Sequence, residues 1–310
     1  ALNDLITKMK AADMVTLDTE TKSLTPFRDG IVGISCAVDD KHAYYVPFGH
    51  TEGTQLDQDM VLNAFKPICE DASIKKVLQN AKFDQAGFAH YGIAINGIAD
   101  DTLLMACLLR KGSESIGLKA LSMRYLGEEM RDYKLVAKGK KTFADVPLDD
   151  ALEYAAHDAR QTLKLQRILT NELAKHPKLE KLYRDVELPL GTILWHMERT
   201  GIALDTGELA SLAEQVRAEL TQIEGKIATC LQGGQQRIDS ATINLNSPAQ
   251  LEVLLFDDLG LPAMKKSAKT GKRSTDNEVL VELSKVHPVP GLIRSEEHTS
   301  ELQSPDHLVC

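Results

Sequence analysis

The sequence predicts an α/β domain followed by an all-helical region, and three observations predict it. Short runs rich in β-branched and aromatic residues crowd the first 80 positions. Helical periodicity dominates from about residue 83. Strand-like runs largely stop beyond a boundary placed at 182, where helix content rises. At 310 residues the chain has room for about two domains.

The elements follow in order. Residues 14–17 form a short apolar strand ending in acids, and 31–38 and 43–46, parted by Asp39-Asp40-Lys41, complete three consecutive strands with hairpin connections. A helix over 58–70 leads to a strand over 76–79, and 101–109 and 118–126 are further helices. Residues 149–173 form a long helix with Ala151, Leu152, Ala155, Leu163, Leu165, Ile168 and Leu169 as its apolar stripe. His176-Pro177 interrupts it, because the residue before proline is pushed out of the helical region. Residues 179–231 read as two helices split at Gly201, the second opened by Asp205 and closed by Gly233-Gly234. Asn246-Ser247-Pro248 places a cap and a first-turn proline on another helix.

Composition narrows the function classes. With 43% apolar and 26% charged residues the chain has an ordinary core, which excludes long disorder and collagen. No apolar run approaches the roughly 18 residues a bilayer span needs, so no membrane partner and a cytoplasmic monomer are expected. The start lacks both Met and a secretory signal and is read as a cut inside a longer protein. Cys36, Cys69, Cys107, Cys230 and Cys310 are odd in number and include no C-x-x-C pair, which argues against zinc and disulfides and for reduced thiols. A net charge of −9 opposes polyanion binding on its face. Two basic runs break that average. One is Arg131, Lys134, Lys138, Lys140 and Lys141; the other is Lys265, Lys266, Lys269, Lys272 and Arg273.

Three motifs carry candidate chemistry. Asp18-Thr19-Glu20 ends the first strand, and residues two apart on a strand share a face, so both carboxylates can converge on one point. Like charges so placed repel unless a cation sits between them. Asn80-Ala81-Lys82-Phe83-Asp84 follows the 76–79 strand and enters a helix. Tyr154 and Asp158, four apart in the long helix, share a face, while Ala155 and Ala156 keep that turn slim enough to approach a sheet. His157 points about 100° away and is peripheral. Taken singly, each motif also fits a blander role as a strand end, a helix cap or a half-buried tyrosine.

Together, over about residues 12–165, they resemble the tyrosine branch of the DEDD exonuclease superfamily. Phe83 before Asp84 and Leu24 four residues after Glu20 match the version attached to DNA polymerase I. The histidine branch would need His at Glu153. The resemblance implies a ribonuclease-H-like mixed sheet flanked by helices. It also implies that Asp18, Glu20, Asp84 and Asp158 hold two Mg²⁺ or Mn²⁺ ions, roughly 3.5–4 Å apart, a choice that suits an all-oxygen donor set. By the same resemblance Tyr154 orients the attacking water, Leu24, Asn80 and Phe83 meet the last nucleotide, and 5′-mononucleotides leave a single-stranded DNA 3′ end.

Residues 183–293 resemble the start of a family A DNA polymerase. The match lies in Glu187-Leu188-Pro189-Leu190 and in 197–205, 244–251, 261–266 and 269–275. This implies a truncated, all-α polymerase entry and thumb region without the palm carboxylates, hence no polymerisation by this chain. It also implies a primer-template partner held through phosphate contacts by Lys265, Lys266, Lys269, Lys272 and Arg273. A bacterial nucleoid or a phage-infected cell is the implied setting. Residues 294–310 resemble a translated short-read sequencing adapter and are expected to be an artefactual, poorly packed tail. The domains expected are therefore 1–182, 183–293 and 294–310. Two alternatives stand beside this reading: a free-standing, ribonuclease D-like RNA 3′ exonuclease, disfavoured by the 244–275 match, and a non-catalytic DNA-binding module, disfavoured because no carboxylate is missing.

Overall fold

The structure, a computed structural model, describes residues 1–231, 244–245, 247–266 and 271–301, with side chains through 295. It divides into two compact units, Ala1–Gly201 and Ile202–Cys310.

The first unit begins with α1 (Leu2–Ala11), β1 (Val15–Thr21), α2 (Pro26–Asp29), β2 (Ile31–Ala37), β3 (Ala43–Pro47), α3 (Gln58–Glu70), β4 (Lys76–Leu78), α4 (Ala81–His90) and β5 (Ile98–Asp101). It continues with α5 (Thr102–Leu109), α6 (Leu118–Leu121) running into a π turn, α7 (Tyr133–Val136), α8 (Leu148–Ala174), α9 (Pro177–Leu182) and α10 (Leu188–Thr200). The sheet order is β3-β2-β1-β4-β5; the β3-β2 and β2-β1 pairs are antiparallel, the β1-β4 and β4-β5 pairs parallel. The expected mixed sheet flanked by helices is therefore present, with β1 at its centre.

Alternation along β1 separates two layers. Val15 and Leu17 join a core with Leu5 and Met9 of α1, Val61, Phe65 and Ile68 of α3, and Phe88 of α4. Fully burying one such side chain stabilises by roughly 1.5–3 kcal/mol. The opposite face, bearing Thr16, Asp18 and Glu20, receives α8. There Ala155 and Ala159 are fully buried, and the Thr16 hydroxyl donates to the Ala159 carbonyl at 3.1 Å. The slim contact expected of Ala155 and Ala156 is thus made by Ala155 and Ala159, because positions four apart share the sheet-facing side and Ala156 is only half-buried.

Three features differ from the sequence reading. β1 runs on through its acids to Thr21, which puts both carboxylates inside a paired strand. Helix α1 and strand β5 were not expected, and Asp101, expected inside a helix, ends β5 and caps α5 by accepting from the amides of Leu103 and Leu104. The first compact unit extends past 182 to Gly201. Pro177 occupies the first turn of α9 and so restarts the helical path. Tyr183 and Arg184 then tie this segment back to β5: the tyrosine hydroxyl donates to Asp100 at 3.1 Å, and Arg184 pairs with Asp100 at 2.6 Å. Gly201, at φ 66°, ends α10.

The second unit contains α11 (Thr206–Leu231), α12 (Pro248–Val253) with a π turn after it, α13 (Asn277–Leu283) and α14 (Pro288–Glu301). Asp205 opens α11 by accepting from the amides of Gly207 and Glu208. Ile227, Leu251, Leu255, Leu280, Leu283, Val289 and Ile293 form its core. The Gly233-Gly234 stop and Asn246 lie outside the described residues, as does 302–310 of the expected tail; the tail's backbone is helical through Glu301. No described helix is long and apolar enough to cross a membrane.

Candidate active site

Each sequence-predicted carboxylate sits on the element expected of it. Asp18 and Glu20 share one face of β1, opposite Ser35 and Gly33 of β2 in the ladder. The Ser35 hydroxyl donates to Asp18 Oδ2 at 3.0 Å. Asp84 lies in the first turn of α4 and accepts from the Thr19 hydroxyl at 2.7 Å. Tyr154 and Asp158 lie one turn apart on α8, the helix laid over this face of β1.

Electrostatics place the four acids in one field. Burial pushes Asp18 up to about 6, against the pull of its bond from Ser35. Glu20 is pushed well above the usual carboxylate range by burial, then by Asp18, Asp158 and Asp84. Burial and then Asp18 raise Asp84, with Thr19 opposing. Burial and then Asp18 raise Asp158, with Lys119 and the Tyr154 hydroxyl opposing. The Tyr154 phenol is itself raised, by burial first and then by Asp158, Glu20 and Asp18, so it keeps its proton at neutral pH. Acids on three separate elements therefore bear on one another.

An all-carboxylate set suits a hard divalent cation, which needs oxygen donors and removes the repulsion that raises these acids. Among the described residues no three of His, Cys, Asp or Glu stand close enough to hold an ion as they are. The acids bear on one another at electrostatic range.

The sequence reading missed several neighbours. Lys119 places its ammonium 5.1 Å from the Tyr154 ring centroid and lowers both Glu20 and Asp158. The Tyr45 phenol is raised by burial and then by Glu20 and Asp18, and its hydroxyl bonds His50 Nε2 at 2.7 Å. Ser35 was findable from the strand pairing; Lys119 had no motif to mark it.

Of the expected nucleotide contacts, Leu24 is 91% exposed, on a loop fixed by bonds from Ser23 and Thr25 to Asp29 at 2.5 and 3.0 Å. Asn80 is exposed, in the left-handed region at φ 68°, and Phe83 is half-buried. Because β1 and β4 are parallel neighbours, Leu24 and Asn80 leave the same, carboxyl edge of the sheet, where open α/β sheets place ligands.

The second basic run is largely paired with acids. Arg273 binds Asp257 at 2.6 and 2.9 Å and Glu252 at 3.1 Å, and Lys265 binds Glu278 at 2.9 Å and Asp276 at 3.3 Å. Lys266 is exposed and bridges to Arg273, Lys272 flanks them, and Lys269 lies outside the described residues. In the first run, Arg131 pairs with Glu153 at 2.9 Å and Asp150 at 3.2 Å.

Comparison with known proteins identifies the family and the fold. Residues 1–174 match a family model described as 3′-5′ exonuclease, and residues 206–307 one described as DNA polymerase family A; the second match crosses into the segment read as an artefactual tail. DNA polymerase I of Pseudomonas aeruginosa is 35% identical, aligned over 96% of this chain and 32% of its own length. That of Synechocystis sp. is 37% identical, aligned over 98% and 30%. The chain thus spans about a third of the length of these curated relatives. A solved structure, the POL domain of Pol1 from M. smegmatis in complex with DNA primer-template and dNTP, shares the fold with a TM-score of 0.67. It is 24% identical and covers 97% of this chain and 47% of that one. The chain therefore belongs to the 3′-5′ exonuclease family of DNA polymerase I, followed by a DNA polymerase family A segment.

Proposed function

We propose that the chain is a divalent-cation-dependent exodeoxyribonuclease that removes 5′-mononucleotides one at a time from a frayed or single-stranded 3′ end, in the manner of proofreading. The observation that supports it most is the gathering of Asp18, Glu20, Asp84 and Asp158 into one field: burial raises all four, and Asp18 further raises the other three. Two divalent cations, when bound, supply a lowered pKa for the attacking water and neutralise charge on the transferring phosphoryl group.

The protein's own groups have separable roles. The four carboxylates would hold the cations, with Ser35 and Thr19 fixing the rotamers of Asp18 and Asp84 through their hydroxyls. The protonated Tyr154 hydroxyl orients the water. Attack at phosphorus forms a new P–O bond while the bond to the 3′ oxygen of the preceding nucleotide breaks, and that oxygen leaves to become the new 3′ hydroxyl. Leu24 offers an apolar face to the last base, beside Asn80 and Phe83. In the family A segment, exposed Lys266 is the better-supported phosphate contact, since Arg273 is committed to acids.

Asp18→Ala and Asp158→Ala are the tests. Each should lower digestion of a labelled oligodeoxynucleotide with Mg²⁺ or Mn²⁺ on the order of 10²–10³-fold or more, with an unchanged circular dichroism spectrum. Digestion by either variant at the wild-type rate would overturn the site. Faster digestion of a matched RNA oligomer would favour the ribonuclease D-like reading.

A further inference from the structure

We infer that Asp101 is a positioning residue of the exonuclease site, whose buried carboxylate holds the Asn80 turn in the shape that meets a nucleotide. The inference rests on the proposal above that Asn80 contacts the terminal nucleotide. Asp101 ends β5 and is 5% exposed. Its Oδ1 accepts from the amides of Asn80 at 3.1 Å and Leu103 at 2.9 Å, and its Oδ2 accepts from the amide of Ala81 at 2.8 Å. One side chain thus caps two helices, α5 behind it and α4 across the sheet edge, where helix N-termini leave their amides unpaired.

That second cap is unusual in what it holds. Asn80 is the one described non-glycine residue at positive φ, a conformation that a residue with a Cβ resists. Asn80 stands at the N-cap position of α4, yet its side chain makes no capping bond. Asp101 satisfies these amides from outside, which leaves the Asn80 amide group exposed and unspent.

A carboxylate here carries an electrostatic penalty, because Asp101 adds to the charge that raises Asp84. A neutral Asn offers one acceptor oxygen where the two helix ends need two. Asp101 is in turn immobilised. Its amide donates to the Tyr183 hydroxyl at 2.9 Å, and its neighbour Asp100 accepts from Tyr183 at 3.1 Å and from Gln166 at 2.7 Å.

The test compares Asp101→Ser, Asn80→Ala and the double variant of the full chain on a single-stranded oligodeoxynucleotide with Mg²⁺. Serine keeps a cap for α5 but is too short for the amides of Asn80 and Ala81; Asp101→Asn serves if the serine protein does not fold. Both single variants should raise KM about tenfold with kcat within about twofold, matching the loss of about one hydrogen-bonded contact. The double variant should raise KM no more than about twofold beyond the larger single effect, since both act through one contact. A cap that served only the fold would lower the active fraction and kcat and leave KM unchanged. If Asn80→Ala raises KM while the Asp101 variants do not, or if the effects multiply, the positioning role is wrong and the nucleotide contact stands. If Asn80→Ala leaves KM unchanged, the contact itself is wrong and the inference goes with it.

Discussion

Raising the pH from 4 to 7.5 should destabilise the cation-free protein, and a divalent cation should reverse the trend. Asp18 stands at about 6 in the folded chain, against a reference of 3.8, because burial disfavours its charge. Between these two values the native state holds a proton that the unfolded chain releases, so stability falls as pH rises. The contribution is fully present below about pH 4 and is lost as pH passes through 6. At 1.36 kcal/mol for each tenfold change, the Asp18 contribution is at most about 3 kcal/mol. For a compact unit of this size that is a fall in Tm of about 6–12 °C. Glu20, Asp84 and Asp158 are raised too and add in the same direction. His50 and His157, both held below their usual range by burial, work in the opposite sense as pH rises. Asp18→Asn isolates the carboxylate term, because it leaves both histidines untouched. Calorimetric melts in EDTA should give a wild-type Tm that falls relative to Asp18→Asn between pH 4 and 7.5. With Mg²⁺ or Mn²⁺ at about 100 times Kd, roughly 2.7 kcal/mol should return at pH 7.5, and little at pH 4, where the acids are protonated. A wild-type Tm that tracks Asp18→Asn across the range in EDTA would show that Asp18 behaves as an ordinary solvated carboxylate and would refute its place in a buried acid cluster.

Gly33 and Arg273 offer two further checks. A Cβ at Gly33 would fall 2.4 Å from the Tyr45 hydroxyl, so Gly33→Ala must displace the ring and break its bond to His50. It should lower stability by about 1–3 kcal/mol, seen as a lower Tm, and an unchanged Tm would mean that the ring is not seated in the slot left by the glycine. Arg273→Ala should reduce the salt dependence of duplex DNA affinity less than Lys266→Ala does, the latter by up to about 0.9 in the log–log slope. Equal slopes for the two variants would place Arg273 on the phosphates after all.

The parts of the site legible in the sequence are those whose geometry is local. Asp18 and Glu20 share a face because strands alternate, and Tyr154 and Asp158 because helices repeat every 3.6 residues, so spacing alone placed both pairs. The groups around them were less legible: Ser35 faces Asp18 through the β1–β2 register, findable only once the strands are paired, and Lys119 arrives on a separate helix that no motif marks. Strand β5 was hidden because Ile98-Ala99-Asp100-Asp101 is half acidic, and the apolar run after it, 103–109, drew Asp101 into the helix it caps. The break at His176-Pro177 marks a new helix and not the end of the compact unit, because long-range bonds from Tyr183 and Arg184 to Asp100 decide that limit. Such bonds have no signature in chain order.

The four acids are not equally supported, and this decides where a cation matters most. Asp18 has the Ser35 hydroxyl, Asp84 the Thr19 hydroxyl and Asp158 the Tyr154 hydroxyl, each favouring the ionised form. Among the described residues no side chain hydrogen-bonds Glu20, whose ladder partner is Gly33. Three carboxylates raise it, and Lys119 is the cation that opposes them. A buried charge without a donor is held at greater cost than one with a donor. On the proposed two-cation reading, Glu20 is therefore the acid whose ionisation would depend most on a bound cation, and Lys119 is the positive group that opposes the acids around it. Gly33 makes this arrangement possible. Its missing side chain admits the Tyr45 ring, whose phenol on β3 is raised by burial and then by Glu20, while Asp158 acts on Glu20 from α8. The carboxylate with the fewest partners thus stands between the sheet, which brings Tyr45, and the long helix, which brings Asp158.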